Sequence, residues 1–554
     1  MGTQKLEIIF SAADQPSQYG VGNNNIIKAE TVFSLDDLDL LTDENETEYL
    51  ISGKCSDNTT ISLEGGIEGS TTCNDNTWKL TRNLSFVPTG TLKFEAISSN
   101  NATISASILK NIDDSSLIGS YSFSDPLNLG DDDGSSNEND AYNAKNISLV
   151  EDDERGSVIE FNGKNSYFQL NSGGDFFHDS FRERSYLFWF RPSDITTKQY
   201  LMDEGGAGNG AAIKIENGKV YAAVRDKNTY TTTLGLNLSE GEDKWYFLAL
   251  IFQDGQLRLV LNDRSTHTNA FYTSVGAHSN SGGIGRNYGS TAFNEYDGNV
   301  YRFSGKIDDL KIYEIALGIS NLEDFYGNDI EGGDPSIGDF IDRSLLAEYN
   351  FELNSSLNED SEDTEASEVV NNLQTVNDST RGTVIEFDGE DSSFQFNYGV
   401  YLRRNFSERT ISMWVKSTDY QKSQILFDEG GGWNGMALKI ESGKIIASTR
   451  DGGAEGEFTA SLEITQENNE WIHVAAVFNN GLLSVYLNGQ SNSTECSYTE
   501  VPWHGEGSGI GATTGGYDAF GGKGEANIFS GFMDDVHLYL RALSSDEIEY
   551  LYNN

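Results

Sequence analysis

The sequence predicts an all-β chain of antiparallel sandwiches and jelly rolls, and three observations carry that expectation. Residues 200–226 (YLMDEGGAGNGAAIKIENGKVYAAVRD) align without a gap to 425–451 (ILFDEGGGWNGMALKIESGKIIASTRD), with 16 of 27 positions identical. A period of about 225 residues is a duplicated domain and not a solenoid unit. Apolar residues recur at every second position and end in turn residues, as in LRLVLND (257–263) and LSVYLNG (483–489). The chain has only 6 Pro against 26 Tyr and 30 Phe, a mix that suits short strands joined by polar turns. The one good helical signal is LSSDEIEYLY (543–552), a short closing helix with Ser as its N-cap.

At 554 residues three domains are expected, spanning 1–110, 116–327 and 344–554. The first stands outside the repeat. KLEIIF (5–10), TEYLISGKC (47–55), TISLEGG (60–66), TWKLTRNLSF (77–86) and GTLKFEAIS (90–98) read as its consecutive strands. Linkers fall at 111–116 and at 328–343, where Gly, Pro and Asp cluster. The repeat continues from VIEFNGKNSYFQL (158–170) to VIEFDGEDSSFQF (384–396) and from Trp189 to Trp414. It also runs from KWYFLALIF (244–252) to EWIHVAAVF (470–478), and from FSGKIDDLKIY (303–313) to FSGFMDDVHLY (529–539). Trp189, Trp245, Trp414 and Trp471 lie inside these strands and are expected in the core. Strict alternation puts Phe532, Asp534, Val536 and Leu538 on one strand face, with Met533, Asp535, His537 and Tyr539 on the other.

The formal net charge of −50 repels phosphate backbones and anionic lipid, so neither nucleic acid nor membrane insertion is expected. No run approaches the roughly 18 apolar residues of a membrane helix. Met1-Gly2-Thr3 looks like a start added for expression, so the native chain is expected to extend upstream, with room for further domains. Cys55 and Cys73 sit close together in one strand-rich stretch. A bridge between them would close a loop of roughly 19 residues, worth about 3 kcal/mol, and would place the chain in an oxidising compartment. Cys496 is left over.

Both copies resemble laminin-G-like jelly rolls of the concanavalin superfamily. The likeness rests on an ordered set: IEF-[ND]-G, a Trp strand (YLFWFRPSD; ISMWVKSTD), a VAAVF-type strand, YLNG, GIG, and F-SG-x-[IM]-DD before a RALS-type ending. Copy one departs from it with KWYFLALIF and LND. The N-terminal stretch is similar to the immunoglobulin-like repeats of bacterial adhesins, through ISGKCS, TTCNDNTW and GTLKFEAIS. That similarity implies an immunoglobulin-like β-sandwich, a Cys55–Cys73 bridge and a stalk role.

The fold family includes glycan-cleaving enzymes, which need two carboxylates about 5 Å apart on one strand. No such strand is present. The acidic clusters 43–48, 131–133, 151–155 and 358–368 lie in loop-like stretches, and six scattered His form no zinc motif. No catalytic residue is expected. The paired DEGGxxNG segments offer Asp203, Glu204 and Asn209, and Asp428, Glu429, Trp433 and Asn434, as ligand-binding residues. Oxygens and glycine-rich backbone at a strand end suit a Ca²⁺ ion or sugar hydroxyls, but they equally make a tight turn. Arg225-Asp226 and Arg450-Asp451 follow one strand later and would bind sugar or pair with those carboxylates.

The superfamily resemblance implies Ca²⁺ at Asp308 and Asp534, with Asn162 and Asp388 as weaker ligands. An Asp inside an apolar strand must in any case be bonded or metal-bound. Trp433, Trp503, Tyr517, Phe520, Tyr288 and Tyr296 lie in loops where aromatic faces could stack on sugar. The expected function is an extracellular, non-catalytic adhesin region binding a glycan or cell surface. The alternatives are a structural or protein–protein module and, third, a polysaccharide-degrading enzyme.

Overall fold

The computed structural model describes residues 33–553 except for several loop stretches, of which 331–343 and 352–368 are the longest. The expected strand 5–10 lies outside the described residues. Two compact units emerge, Met1–Asn111 and Ile112–Asn554.

The first unit is a two-sheet antiparallel sandwich. Ser34–Leu35, Tyr49–Lys54 and Thr77–Arg82 form one sheet, and Gly69–Thr72, Thr60–Gly65, Gly90–Ser98 and Thr103–Lys110 form the other. Alternation sends Tyr49 and Ile51 inward and Leu50 and Lys54 outward. The inward set packs with Ile61, Trp78, Phe94 and Ile108. Cys55 follows the strand Tyr49–Lys54 and Cys73 follows Gly69–Thr72, so their disulfide ties a strand of one sheet to a strand of the other. Cys496 is free, and burial pushes its thiol up to about 11, which leaves it unreactive at neutral pH.

The second unit contains two sandwiches of one topology. In the first, an eight-stranded sheet runs Ser148–Asp152, Gly156–Asn162, Ser304–Tyr313, Glu183–Pro192, Tyr246–Gln253, Gln256–Leu261, Arg264–Asn269, with Leu117–Tyr121 also pairing Ser304–Tyr313. The facing seven-stranded sheet runs Tyr230–Asn237, Lys219–Asp226, Gly210–Glu216, Gln199–Asp203, Gly283–Ile284, Tyr167–Gln169, Asn143–Lys145. The second copy repeats both, with Ser530–Tyr539 and Glu408–Ser417 central in one sheet and Gln424–Asp428 and Asn434–Glu441 in the other. Arg182 of the first copy joins the two, donating to Glu408 at 2.6 and 3.1 Å while holding Asp254 at 2.9 Å.

A helix covers the outer face of each eight-stranded sheet. The expected one forms over Ser545–Asn553 with a reciprocal cap: Glu547 N–H donates to Ser544 Oγ and Ser544 N–H donates to Glu547 Oε2. Copy one has a counterpart, Ile319–Tyr326, that the local pattern missed because its N-cap is Gly318, without a side-chain cap. These helices explain why YFLALIFQ (246–253) is buried throughout: one face meets the inter-sheet core, the other the helix.

Trp189 and Trp414 occupy equivalent positions, opposite Asp308 and Asp534. They do not join the inter-sheet core as expected. They stand on the outer face, where Tyr326 and Tyr552 of the helices lie 5.9 and 5.7 Å away, centroid to centroid. The assumed alternation along 530–539 also fails. A bulge interrupts the pairing between Ser412 and Trp414, and Asp535 lies at φ 45°. Met533 and Val536, assigned to opposite faces, therefore both reach the core.

A loop scaffold and an exposed tryptophan on the second jelly roll

The DEGG segment leaves the strand Gln424–Asp428 and returns as Asn434–Glu441. Glu429 is wholly buried. Its Oε1 accepts from the Arg409 guanidinium and its Oε2 accepts the Met436 N–H at 3.0 Å, which closes the loop across its base. Asp428 Oδ1 accepts the Gly430 N–H at 3.2 Å. Copy one repeats the arrangement. Glu204 accepts from Arg184 (3.0 Å), Tyr186 O–H (2.7 Å) and Ala211 N–H (2.8 Å), and Asp203 accepts the N–H groups of Gly205 and Tyr288.

Burial pushes the carboxyls of Asp203 and Glu429 up to about 7. Of the two readings open for Asp203, Glu204, Asp428 and Glu429, ligand residues or a tight turn, the structure favours the turn. With no exposed surface they are the frame of the turn. The arginine partners of Glu204 and Glu429 are Arg184 and Arg409 on the Trp strands. The matched pair RERS and SERT at the repeat offset was the available signal.

Asn209 and Asn434 are half-buried at the loop ends and point to a neighbouring loop. Asn209 Nδ2 donates to the Ala277 carbonyl at 2.9 Å, and Asn434 Nδ2 to the Trp503 carbonyl at 2.7 Å. Trp503 thus stands where copy one has Ala277, and its side chain is 63% exposed. Trp433, the other expected aromatic of this loop, lies outside the described residues, as do Tyr296 and Tyr517. Tyr288 is half-buried beside Tyr167. The Lys439 ammonium lies 4.2 Å from the centroid of the Phe520 ring. The loop therefore presents a framed backbone, an asparagine and one uncovered indole on the same ground.

In neither roll do the expected Asp and turn residue come together. Asp308 accepts from Arg155 Nε at 2.6 Å and Asp309 from the same guanidinium at 2.5 Å, because the bulge at Asp309 turns neighbouring carboxylates to one side. That guanidinium lies 4.3 Å from the Trp189 ring centroid and 5.6 Å from Trp245. Copy two has Arg381 on Asp534 at 2.8 Å and on Asp535, with Trp414 at 4.2 Å and Trp471 at 5.8 Å.

Asn162 and Asp388 instead cap their own turns. Each Oδ1 accepts the backbone N–H groups of the next few residues, through Ser166 and Ser392. Asn162 pairs with Ser304, four positions or roughly 13 Å along the strand from Asp308. An arginine pairs with the Asp of each roll, and within a roll the Asp and the turn residue lie too far apart to share one ion. Among the described residues no three His, Cys, Asp or Glu side chains group as a metal site.

A Ser–His pair lies on the second roll. His473 Nε2 and Ser412 Oγ are 2.8 Å apart, but both are buried, and burial pushes the imidazole down to about 3. Leu187 and Phe247 fill the same places in copy one, so the pair substitutes for apolar packing. Among the described residues no helix is long and apolar enough to cross a membrane.

A laminin G profile described as the concanavalin A-like lectin/glucanases superfamily matches residues 162–321 and 388–549. The chain is 27% identical over 140 residues to the pentraxin-related protein PTX3 of Mus musculus, covering 24% of this chain and 36% of that one. Solved structures with some likeness include the botulinum neurotoxin serotype D binding domain, at TM-score 0.31 and 14% identity over 38% of this chain and 50% of that one. Domain 4 of AbnA, an arabinanase of Geobacillus stearothermophilus solved with arabinotriose, has TM-score 0.29 and 16% identity, over 38% of this chain and 98% of that one. The chain spans about a third of the curated relative and half of the neurotoxin domain.

Proposed function

The chain belongs to the concanavalin A-like lectin/glucanase superfamily through both of its jelly rolls, and we propose that it is a non-catalytic extracellular protein that binds a glycan or glycan-bearing cell surface. The observation that carries this reading is the Asn434–Trp503 loop pair. An exposed indole beside a tied-down loop offers a flat apolar face for a sugar ring, and the buried Arg409–Glu429 pair at the base of the neighbouring loop fixes its backbone. A sugar ring would stack on the indole while the half-buried Asn434 and the glycine-rich backbone meet its hydroxyls.

Copy two is the stronger binder in this reading, since Ala277 replaces Trp503 in copy one and Gly208 stands at the place of Trp433. The disulfide and the lectin-like rolls fit an extracellular setting. The N-terminal sandwich would serve as an immunoglobulin-like stalk of an adhesin. A glycan array probed with the intact protein and with Trp503→Ala tests this. Array signal that falls at least tenfold in a variant with unchanged melting supports it. Array silence together with Trp503-dependent capture by a protein would favour the structural, protein–protein alternative.

A further inference from the structure

The first jelly roll carries a cluster that the second lacks. Arg286 and Arg302 face each other across an isolated β-bridge, beside the strand Gly283–Ile284. The Arg286 guanidinium lies 4.1 Å from the ring centroid of Tyr167 and 4.2 Å from that of Tyr288. Arg302 is near enough that Arg286, after burial, pushes its guanidinium down from the usual range.

Nothing acidic among the described residues answers these two charges with an ion pair. Glu295 is taken by Lys198 and Lys214, and Asp297 by Tyr301 O–H and Asn299 N–H; Asp203, held by the N–H groups of Tyr288 and Gly205, feels Arg286 only through space, and burial still raises its carboxyl to about 7. Arg286 Nε and Arg302 Nη1 are buried without a hydrogen-bond partner. In a chain with 87 acidic residues against 37 Lys and Arg, two adjacent guanidiniums without an ion pair are a costly arrangement.

The fold does not require them. Gly285 and Gly511 hold equivalent places, each accepting a backbone bond from the following Phe303 or Phe529. Counting from these, Arg286 corresponds to Ala512 and Arg302 to Ile528. Tyr167, next to Phe168, corresponds to Ser393, next to Phe394. Two arginines and a tyrosine replace two apolar residues and a serine on a scaffold that folds either way.

We propose that Arg286 and Arg302, walled by Tyr167 and Tyr288, form a site on the first jelly roll for one oxyanion of an acidic sugar, a uronate carboxylate or a sulfate ester. Both groups match the guanidinium fork, and the tyrosines give a ring face beside the charge. The net charge of −50 does not forbid this. At an ionic strength near ~0.15 M charges are screened beyond about 8 Å, so the ligand feels chiefly the two arginines.

The test is calorimetric titration of the intact protein with an oligogalacturonate, a heparin-type sulfated oligosaccharide and a neutral oligosaccharide of equal length. Arg286→Ala and Arg302→Ile copy the second roll, so both are expected to melt like the parent. The expected result is one bound anionic probe, weakened at least tenfold in either variant and unchanged in Trp503→Ala. Binding of the uronate alone identifies the carboxylate, and binding of the sulfated probe alone identifies the sulfate. Three results would overturn the assignment: no binding of either anionic probe, equal binding of the neutral one, or full binding by the double variant. Loss in Trp503→Ala alone would return the ligand to the second roll.

Discussion

Replacing Arg381 by methionine removes the cation from a stack in which two indoles and two carboxylates depend on it. Asp534 then keeps a buried carboxylate with no counter-charge, and breaking a buried pair in this way costs about 3–5 kcal/mol. Contact of the guanidinium with Trp414 and Trp471 adds about 1–2 kcal/mol. The first cost depends on pH. Burial, then the neighbouring Asp535, already raises the Asp534 carboxyl to about 7 with Arg381 in place, and removing the cation raises it further. At pH 5.5 the variant holds Asp534 neutral and loses mainly the stacking contribution. At pH 8.5 it bears nearly the whole cost.

Scanning calorimetry should show the transition of the second unit falling by about 10 °C at pH 8.5 and about 4 °C at pH 5.5, using roughly 2–4 °C per kcal/mol. Adding Asp534→Asn should remove most of the difference between the two pH values. A pH-independent loss under about 1 kcal/mol would refute the claim that Arg381 neutralises this carboxylate.

Wild-type stability should peak near pH 5, read from melting temperature against pH. Asp203, Asp308, Glu429 and Asp534 have raised folded values of about 6–7, so their contribution is full below about 4 and is lost as pH rises through 6–7. Asp152 and Asp378 go the other way. Against burial, Lys306 and Trp245, or Lys416 and the turn N–H of Thr380, hold them well below the usual range, so their contribution is lost in acid below about pH 4. Millimolar Ca²⁺ against chelator should leave the melting curve unmoved at this face, and a Ca²⁺ shift abolished by Asp534→Asn would restore calcium there. Cys55→Ala with Cys73→Ala should cost the first unit about 3 kcal/mol in a denaturant melt and leave the second unchanged. Glu429→Gln should weaken ligand binding and lower the melting temperature together, whereas Trp503→Ala should weaken binding alone.

Much of the fold was legible because duplication shows which features are kept. The order of strands and the Trp pairs follow from two aligned copies, and the closing helix from its own Ser cap and acidic first turn. What escaped was whatever depends on an interrupted period. The bulge at Asp309 and Asp535 adds one residue to a strand, and every side-chain assignment beyond it changes face. The DEGG acids stayed open between ligand and turn for a related reason. Composition marks a carboxylate as polar, but only packing shows that Glu204 and Glu429 point inward to an arginine from another strand. Trp503 was named among the loop aromatics, yet its tie to Asn434 spans 69 residues and no local pattern contains it.

The most direct test of the binding claim is a crystal structure of the intact protein soaked with an oligosaccharide that scores on the array. The expected result is a sugar ring stacked on the indole of Trp503, with a hydroxyl within hydrogen-bond distance of the Asn434 loop and the Arg409–Glu429 pair unmoved beneath it. A sugar bound elsewhere, with Trp503 bare, would contradict it.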